Sequence, residues 1–129
     1  MPPQRERLPA ERAGWTKKFK LSYTHKDGTP DVMKIYLRTG IYEDGRLGEI
    51  FITADRVGTL ASGALDAVAT MVSMLLQYGV PLDVITSKLR HTRFPPNSFT
   101  GDEEFPSCSS ILDLVAQFLD KRFGAKPEA

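Results

Sequence analysis

The chain has 129 residues, 41% of them apolar and 26% charged, with seventeen basic side chains against sixteen acidic ones. That length is one domain's worth, with a core that can bury roughly two-thirds of the unfolded surface. A net charge of +1 argues against a dedicated nucleic-acid coat, and the single cysteine, Cys108, excludes an internal disulfide, a redox pair and a multi-cysteine zinc site.

Residues 1–14 (MPPQRERLPAERAG) carry three prolines and three arginines and few apolar side chains. Such a segment buries too little surface to offset its ordering entropy, which predicts a flexible arm. A single domain is expected over 15–124, with 125–129 as a disordered tail. No apolar run follows Met1, so no signal peptide is expected and the location is cytoplasmic.

Phe19, Leu21 and Tyr23 alternate with polar residues, as do Met33, Ile35 and Leu37. Asp27-Gly28-Thr29-Pro30 supplies a turn between them, and Asp44-Gly45 favours a tight hairpin before the β-rich run 48–53. The fold class is therefore α+β: an antiparallel β-meander of three or more strands, followed by two or three helices packed on it.

Residues 61–78 are apolar on most faces, which predicts a helix buried on more than one side. Ser62, Asp66, Thr70, Ser73 and Gln77 interrupt the run too often for a membrane span. One small sheet cannot cover such a helix, so a homo-oligomer is expected, most simply a dimer, with 61–78 in or beside the interface. Asp66 then reads as a buried partner of an arginine or as an interface residue. Gly79 stops this helix and Pro81 opens another over 82–89. A last helix is expected from Ser107 to Phe123, capped by Ser107, Ser109 or Ser110 and ended by Gly124.

Between the last two helices runs Arg90 to Pro106, a loop longer than compact domains usually hold without a functional reason. It offers two forked cations (Arg90, Arg93), an imidazole (His91), two aromatic faces (Phe94, Phe99) and an amide (Asn97). Guanidinium pairs with phosphate, rings stack on bases and amides read base edges, which suits a nucleotide-like small molecule. The alternative is that the phenylalanines fill the core and the arginines pair with Asp102, Glu103 and Glu104. The entry to the long helix, Gly58 to Gly63, is a second anion-binding candidate through Thr59 and Ser62 and the helix dipole. The expectation is that loop 90–101 closes over a phosphate-bearing ligand near that helix start. His25 and His91 lack metal-ligand spacing, and Cys108 reads either as a thiol of lowered pKa at a helix entry or as a small buried hydrophobe. No catalytic residue and no metal site is expected.

Three segments carry a family resemblance: 4–21 (QRERLPAERAGWTKKFKL), 42–52 (YEDGRLGEIFI) and 61–101. Within the last, Leu76-Gln77-Tyr78-Gly79-Val80-Pro81-Leu82 and His91-Thr92-Arg93-Phe94 are its strongest pieces. Together they resemble the C-terminal region of adenosylcobalamin-dependent ribonucleotide reductases, one of the TSCPD domains. Ser107-Cys108 stands where the name-giving branch has Ser-Cys-Pro-Asp, and Ser109-Ser110 replace its Pro-Asp. The reductase chemistry of that family needs a cysteine radical site, a redox cysteine pair and a cobalamin pocket in a large barrel. What the resemblance implies here is a non-catalytic accessory or regulatory module, with adenosylcobalamin bound by the parent enzyme and not by this chain. A ribonucleotide reductase catalytic chain is then an expected partner. The wider group also resembles phage sponge proteins that sequester nucleotide immune signals such as cyclic ADP-ribose isomers, binding them between subunits. A structural oligomerisation domain is the third reading. None of the three involves a membrane or dedicated nucleic-acid binding.

Overall fold

Alternation of apolar and polar side chains builds the first three elements, β1 (Thr16–Thr24), β2 (Pro30–Ile41) and β3 (Leu47–Ala54). They form one sheet in the order β1-β2-β3 in a computed structural model that describes residues 4–55, 58–94 and 98–124. β2 and β3 run antiparallel, with Arg38 opposite Phe51 and Thr39 opposite Ile50. Phe19, Leu21, Ile35, Leu37, Ile50 and Ile52 are buried on one side of the pleat. Lys18, Lys34, Tyr36, Arg38 and Phe51 alternate with them and stay exposed. The hairpin between β2 and β3 turns at Gly45, whose φ of 94° explains the glycine of the Asp-Gly pair.

Helix α1 (Thr59–Gln77) ends as the sequence predicts. Gly79 takes a φ of 88°, its N–H donates to the Leu76 carbonyl, and the Val80 N–H donates to the Leu75 carbonyl, both at 3.0 Å. This double closure satisfies carbonyls that the helix end would otherwise leave open. Helix α2 (Leu82–Leu89) follows where expected. The last helix, α3 (Ile111–Phe123), starts later than the expected Ser107. Ser110 is its cap, accepting the Asp113 N–H at 2.9 Å. Ser107–Cys108 instead form β5, a two-residue strand paired with β4 (Ser98–Phe99).

Contacts sort the chain into two compact units. The first takes the chain up to Phe19 and from Lys34 to Pro81, and the second takes Lys20–Met33 and everything from Leu82 onward. In the first, α1 packs on β3. Ser73 Oγ accepts the Ile50 N–H at 2.9 Å, and its one proton lies between the Ala69 carbonyl at 2.8 Å and the Ile50 carbonyl at 3.2 Å, so the helix covers the outer edge of β3 at Ile50. In the second, α2 and α3 pack together around Ile85, Leu114, Val115, Phe118 and Leu119, all buried.

One expectation needs correction. α1 buries one face only: Leu65, Ala69, Val72 and Gln77 are buried, whereas Leu60, Met71, Met74 and Leu75 are exposed. By length and composition it is also apolar enough to cross a membrane. Asp66 is likewise exposed, not a buried partner. The N-terminal segment makes specific contacts. Within its described part, 4–14, the Glu6 N–H donates to the Gln77 carbonyl at 2.8 Å and Arg5 Nε to Gln77 Oε1 at 2.6 Å. Arg12 forms a forked pair with Glu49, and the Ile41 N–H donates to the Ala13 carbonyl at 2.9 Å. Backbone groups and arginines, which composition scores as solvated, hold this segment on the first unit.

A candidate ligand cleft between the 90–94 turn and the start of α3

In the second unit the chain leaves α2 at Arg90 and reverses at His91, whose φ of 65° is left-handed, a conformation uncommon for any residue but glycine. One buried carboxylate pins this reversal. Asp113 Oδ1 accepts the His91 N–H at 2.7 Å, and Oδ2 accepts the Ser109 N–H at 3.1 Å and Gln117 Nε2 at 2.9 Å. Arg90 Nε stands 3.4 Å from Asp113 Oδ1, and its Nη1 lies 3.3 Å from Asp120. Burial pushes the Asp113 carboxyl up, yet these donors and the Arg90 charge together hold it below the usual carboxylate range.

The hydroxyls complete the seam. Thr92 Oγ1 donates to the Leu89 carbonyl at 2.9 Å and shares a hydrogen bond of 2.6 Å with Ser110 Oγ. Ser109 Oγ donates to the Thr92 carbonyl at 2.7 Å. The result is a cleft of about 650 Å³ floored by Asp113, Gln117 and Cys108 and rimmed by His91, Arg93 and Phe99. That volume lies in the ~300–1,000 Å³ range typical of small-ligand sites.

The cleft brings four of the predicted residues together: Arg90, His91, Arg93 and Phe99. Arg90 is committed to Asp113 and Asp120, so it is not the open phosphate partner expected of it. Arg93 is exposed, and among the described residues it forms no ion pair. Phe94 and Phe99 are both exposed, with Phe99 at 80%, which sets aside the reading of them as core plugs. Asn97 falls outside the described residues, as do Pro95 and Pro96. Thr59 and Ser62 are exposed and belong to the first unit, and the cleft is formed without them. The acids of the loop serve elsewhere: Glu104 holds Arg122 in a forked pair at 2.7 and 2.8 Å. Cys108 is buried, which fits the small-hydrophobe reading of it. Asp113 was missed, although Ser110-x-x-Asp113 ahead of an apolar run is a helix-start signature legible in sequence.

Comparison with known proteins places this architecture. The TSCPD domain matches residues 9–123. The chain belongs to the TSCPD domain family. A vitamin B12-dependent ribonucleotide reductase of Rhodopirellula baltica is 40% identical over 121 residues, covering 94% of this chain and 11% of that protein. The reductase of Bradyrhizobium diazoefficiens is 41% identical over 87% of this chain and 8% of its own length. That of Streptantibioticus cattleyicolor is 35% identical over 88% of this chain and 17% of its own. The TSCPD chain thus spans only a small fraction of the relatives it matches. No solved structure matches it.

Within the TSCPD domain, the Ser109-Ser110 departure from Pro-Asp keeps its chemistry at the second position. Serine and aspartate are about equally good helix caps, and Ser110 fills that role here. The cleft does not fit a corrinoid: it is sized for small ligands, polar-lined and open, and its imidazole sits on a strained turn. Among the described residues no cluster of three His, Cys, Asp or Glu side chains is placed to hold a metal.

Proposed function

We infer that this TSCPD domain is a nucleotide-related binding module serving a cobalamin-dependent ribonucleotide reductase as an accessory or regulatory piece, without catalysis of its own. The observation that carries the reading is the rim of the cleft. Arg93 stands there as a cation that pairs with no carboxylate among the described residues, the exposed ring of Phe99 lines the same cleft, and Arg90 and Asp113 already neutralise each other beneath. Such a rim takes a ligand that brings one anionic group and one flat ring, and a nucleotide has both. The lone buried cysteine has no second thiol in the chain with which to cycle electrons.

Self-association belongs to the same reading. Leu60, Ala64, Ala67, Met71, Met74 and Tyr78 are exposed along α1 and its cap, spaced alternately by four and three residues. That is the spacing of a coiled-coil seam, and it carries no charge to repel an identical helix. A second copy of the chain is the occupant this face fits.

Calorimetry of the full chain against nucleoside di- and triphosphates tests the cleft. Binding by the parent protein and a roughly ten-fold or greater loss in Arg93→Ala supports the reading, at ~1.4 kcal/mol per decade. An Arg93→Ala variant that binds as well as the parent removes it.

A further inference from the structure

The exposed side of the sheet in the first unit has a chemistry of its own. Lys34, Tyr36 and Arg38 point outward from successive outward positions of β2, and Phe51 of β3 lies directly opposite Arg38. Lys18 of β1 places its ammonium 5.8 Å from the Tyr36 ring centre, and the Arg38 guanidinium stands 5.4 Å from that of Phe51. Both rings remain open to solvent, Tyr36 at 37% and Phe51 at 44%. Exposed aromatic rings on a strand face offer stacking surfaces, and here each has a cation beside it.

Charge decides what would cover them. Among the described residues, Lys18, Lys34 and Arg38 form no ion pair with a carboxylate. The acids nearby are engaged or peripheral: Glu49 is held by Arg12, and Asp55 accepts the Lys34 N–H at 2.6 Å. Asp66 borders the groove of about 490 Å³ that runs between Phe51 and α1, where Arg5 and Arg38 also stand. The face therefore offers alternating cations and rings along one line.

We propose that this face binds a short stretch of single-stranded nucleic acid, with bases stacked on Tyr36 and Phe51 and phosphates on Lys18, Lys34 and Arg38. From Lys34 to Arg38 the strand advances ~13 Å at ~3.3 Å per residue. Two or three splayed nucleotides fit that length, the number that an aromatic sheet face holds in single-stranded recognition. A duplex does not fit, because its bases are stacked on each other and present no free ring face. The overall charge of +1 hides the patch, since acids elsewhere in the chain balance it.

The test is fluorescence anisotropy of the full chain with a labelled oligothymidylate of about twelve nucleotides and with a duplex of equal length. The single strand is expected to bind at low salt and the duplex at least ten-fold more weakly. With three phosphates contacted, the logarithm of the affinity falls against the logarithm of salt with a slope of about −2, at ~0.7 per contact. Arg38→Ala shallows that slope by about 0.7. Phe51→Ala weakens binding roughly ten-fold, about 1.4 kcal/mol, and Tyr36→Ser acts in the same direction. Both side chains are exposed, so the variants keep the parent's circular dichroism. Arg93→Ala, in the other unit, leaves this binding unchanged and so separates it from the cleft. Equal affinity for the duplex, no binding of the single strand at low salt, or a Phe51→Ala variant as tight as the parent would overturn the proposal.

Discussion

The backbone N–H of His91 donates to Oδ1 of Asp113 at 2.7 Å, bridging 22 residues of sequence. That bond fixes the turn that carries Arg93 to the rim of the cleft, and the carboxylate behind it is buried. Asp113→Ala strands the His91 and Ser109 amides and leaves Arg90 without its nearest acid. The expected cost is about 3 kcal/mol or more, read as a lower denaturant midpoint. A loss below about 0.5 kcal/mol, the size of an ordinary surface change, contradicts the assignment.

His91 itself gives a second expectation, because its φ of 65° suits glycine best. His91→Gly relieves the backbone and leaves stability unchanged or raised by up to about 1 kcal/mol, whereas His91→Val forces a branched side chain into the left-handed region and costs about 1–2 kcal/mol. Thermal melts of the pair check both signs. Val more stable than Gly would refute the strained turn.

Acid should unfold this protein through specific carboxyls. Arg122 donates to Glu104 and, against a smaller opposing push from desolvation, holds its pKa down to about 2, while Asp113 lies below the usual range for the reasons given above. A carboxyl depressed in the folded state contributes stability that is complete above its unfolded pKa and is lost as pH falls through the folded value. Stability should therefore decline between about pH 4 and about 2. Glu104→Gln should flatten that decline in a series of melts, and an unaltered slope counts against the Arg122 pair.

Gln77 ties three segments together. Its side-chain amide donates to the Gly48 carbonyl at 3.0 Å, its Oε1 accepts from Arg5, and its carbonyl accepts the Glu6 N–H. Gln77→Leu removes both side-chain bonds, at an expected cost of about 1–3 kcal/mol. Cleavage by trypsin at Arg5, Arg7 and Arg12 should quicken with it. Parent-like cleavage means the arm is held by other bonds.

Met71 gives the seam its most direct check, since it is 65% exposed. Met71→Glu should convert an oligomer into a monomer in light scattering while the melting temperature of the fold is preserved. A parent protein that is already monomeric at micromolar concentration removes the basis for the seam.

Much of the fold was legible because its signals are local. Alternation at Phe19, Leu21, Ile35 and Leu37 marked strands, and Gly79 marked the end of α1 through the one backbone conformation that glycine favours. What was not legible depended on partners far away in sequence. Arg90 and Arg93 read identically as loop cations, and only Asp113 and Asp120, 23 and 30 residues on, distinguish the committed one from the open one. The contacts of the arm are of the same kind: Arg12 finds Glu49 across 37 residues. Exposure of α1 ran the other way, since an apolar helix looks the same whether its own sheet or a second copy is meant to cover it.

The hydroxyl of Ser73 has a consequence for how this chain behaves in crowded solution. By accepting the N–H of Ile50 and lying against its carbonyl, it leaves β3 no free N–H at that point for an incoming strand. At β1, the other outer strand of this sheet, an incoming copy would drive Lys17, Lys18 and Lys20 against their counterparts. Growth of the three-stranded sheet is thus hindered at one margin by a helix and at the other by charge. Replacing Ser73 with valine would unlock the first margin, and the slow appearance of thioflavin-binding aggregates would be its signature.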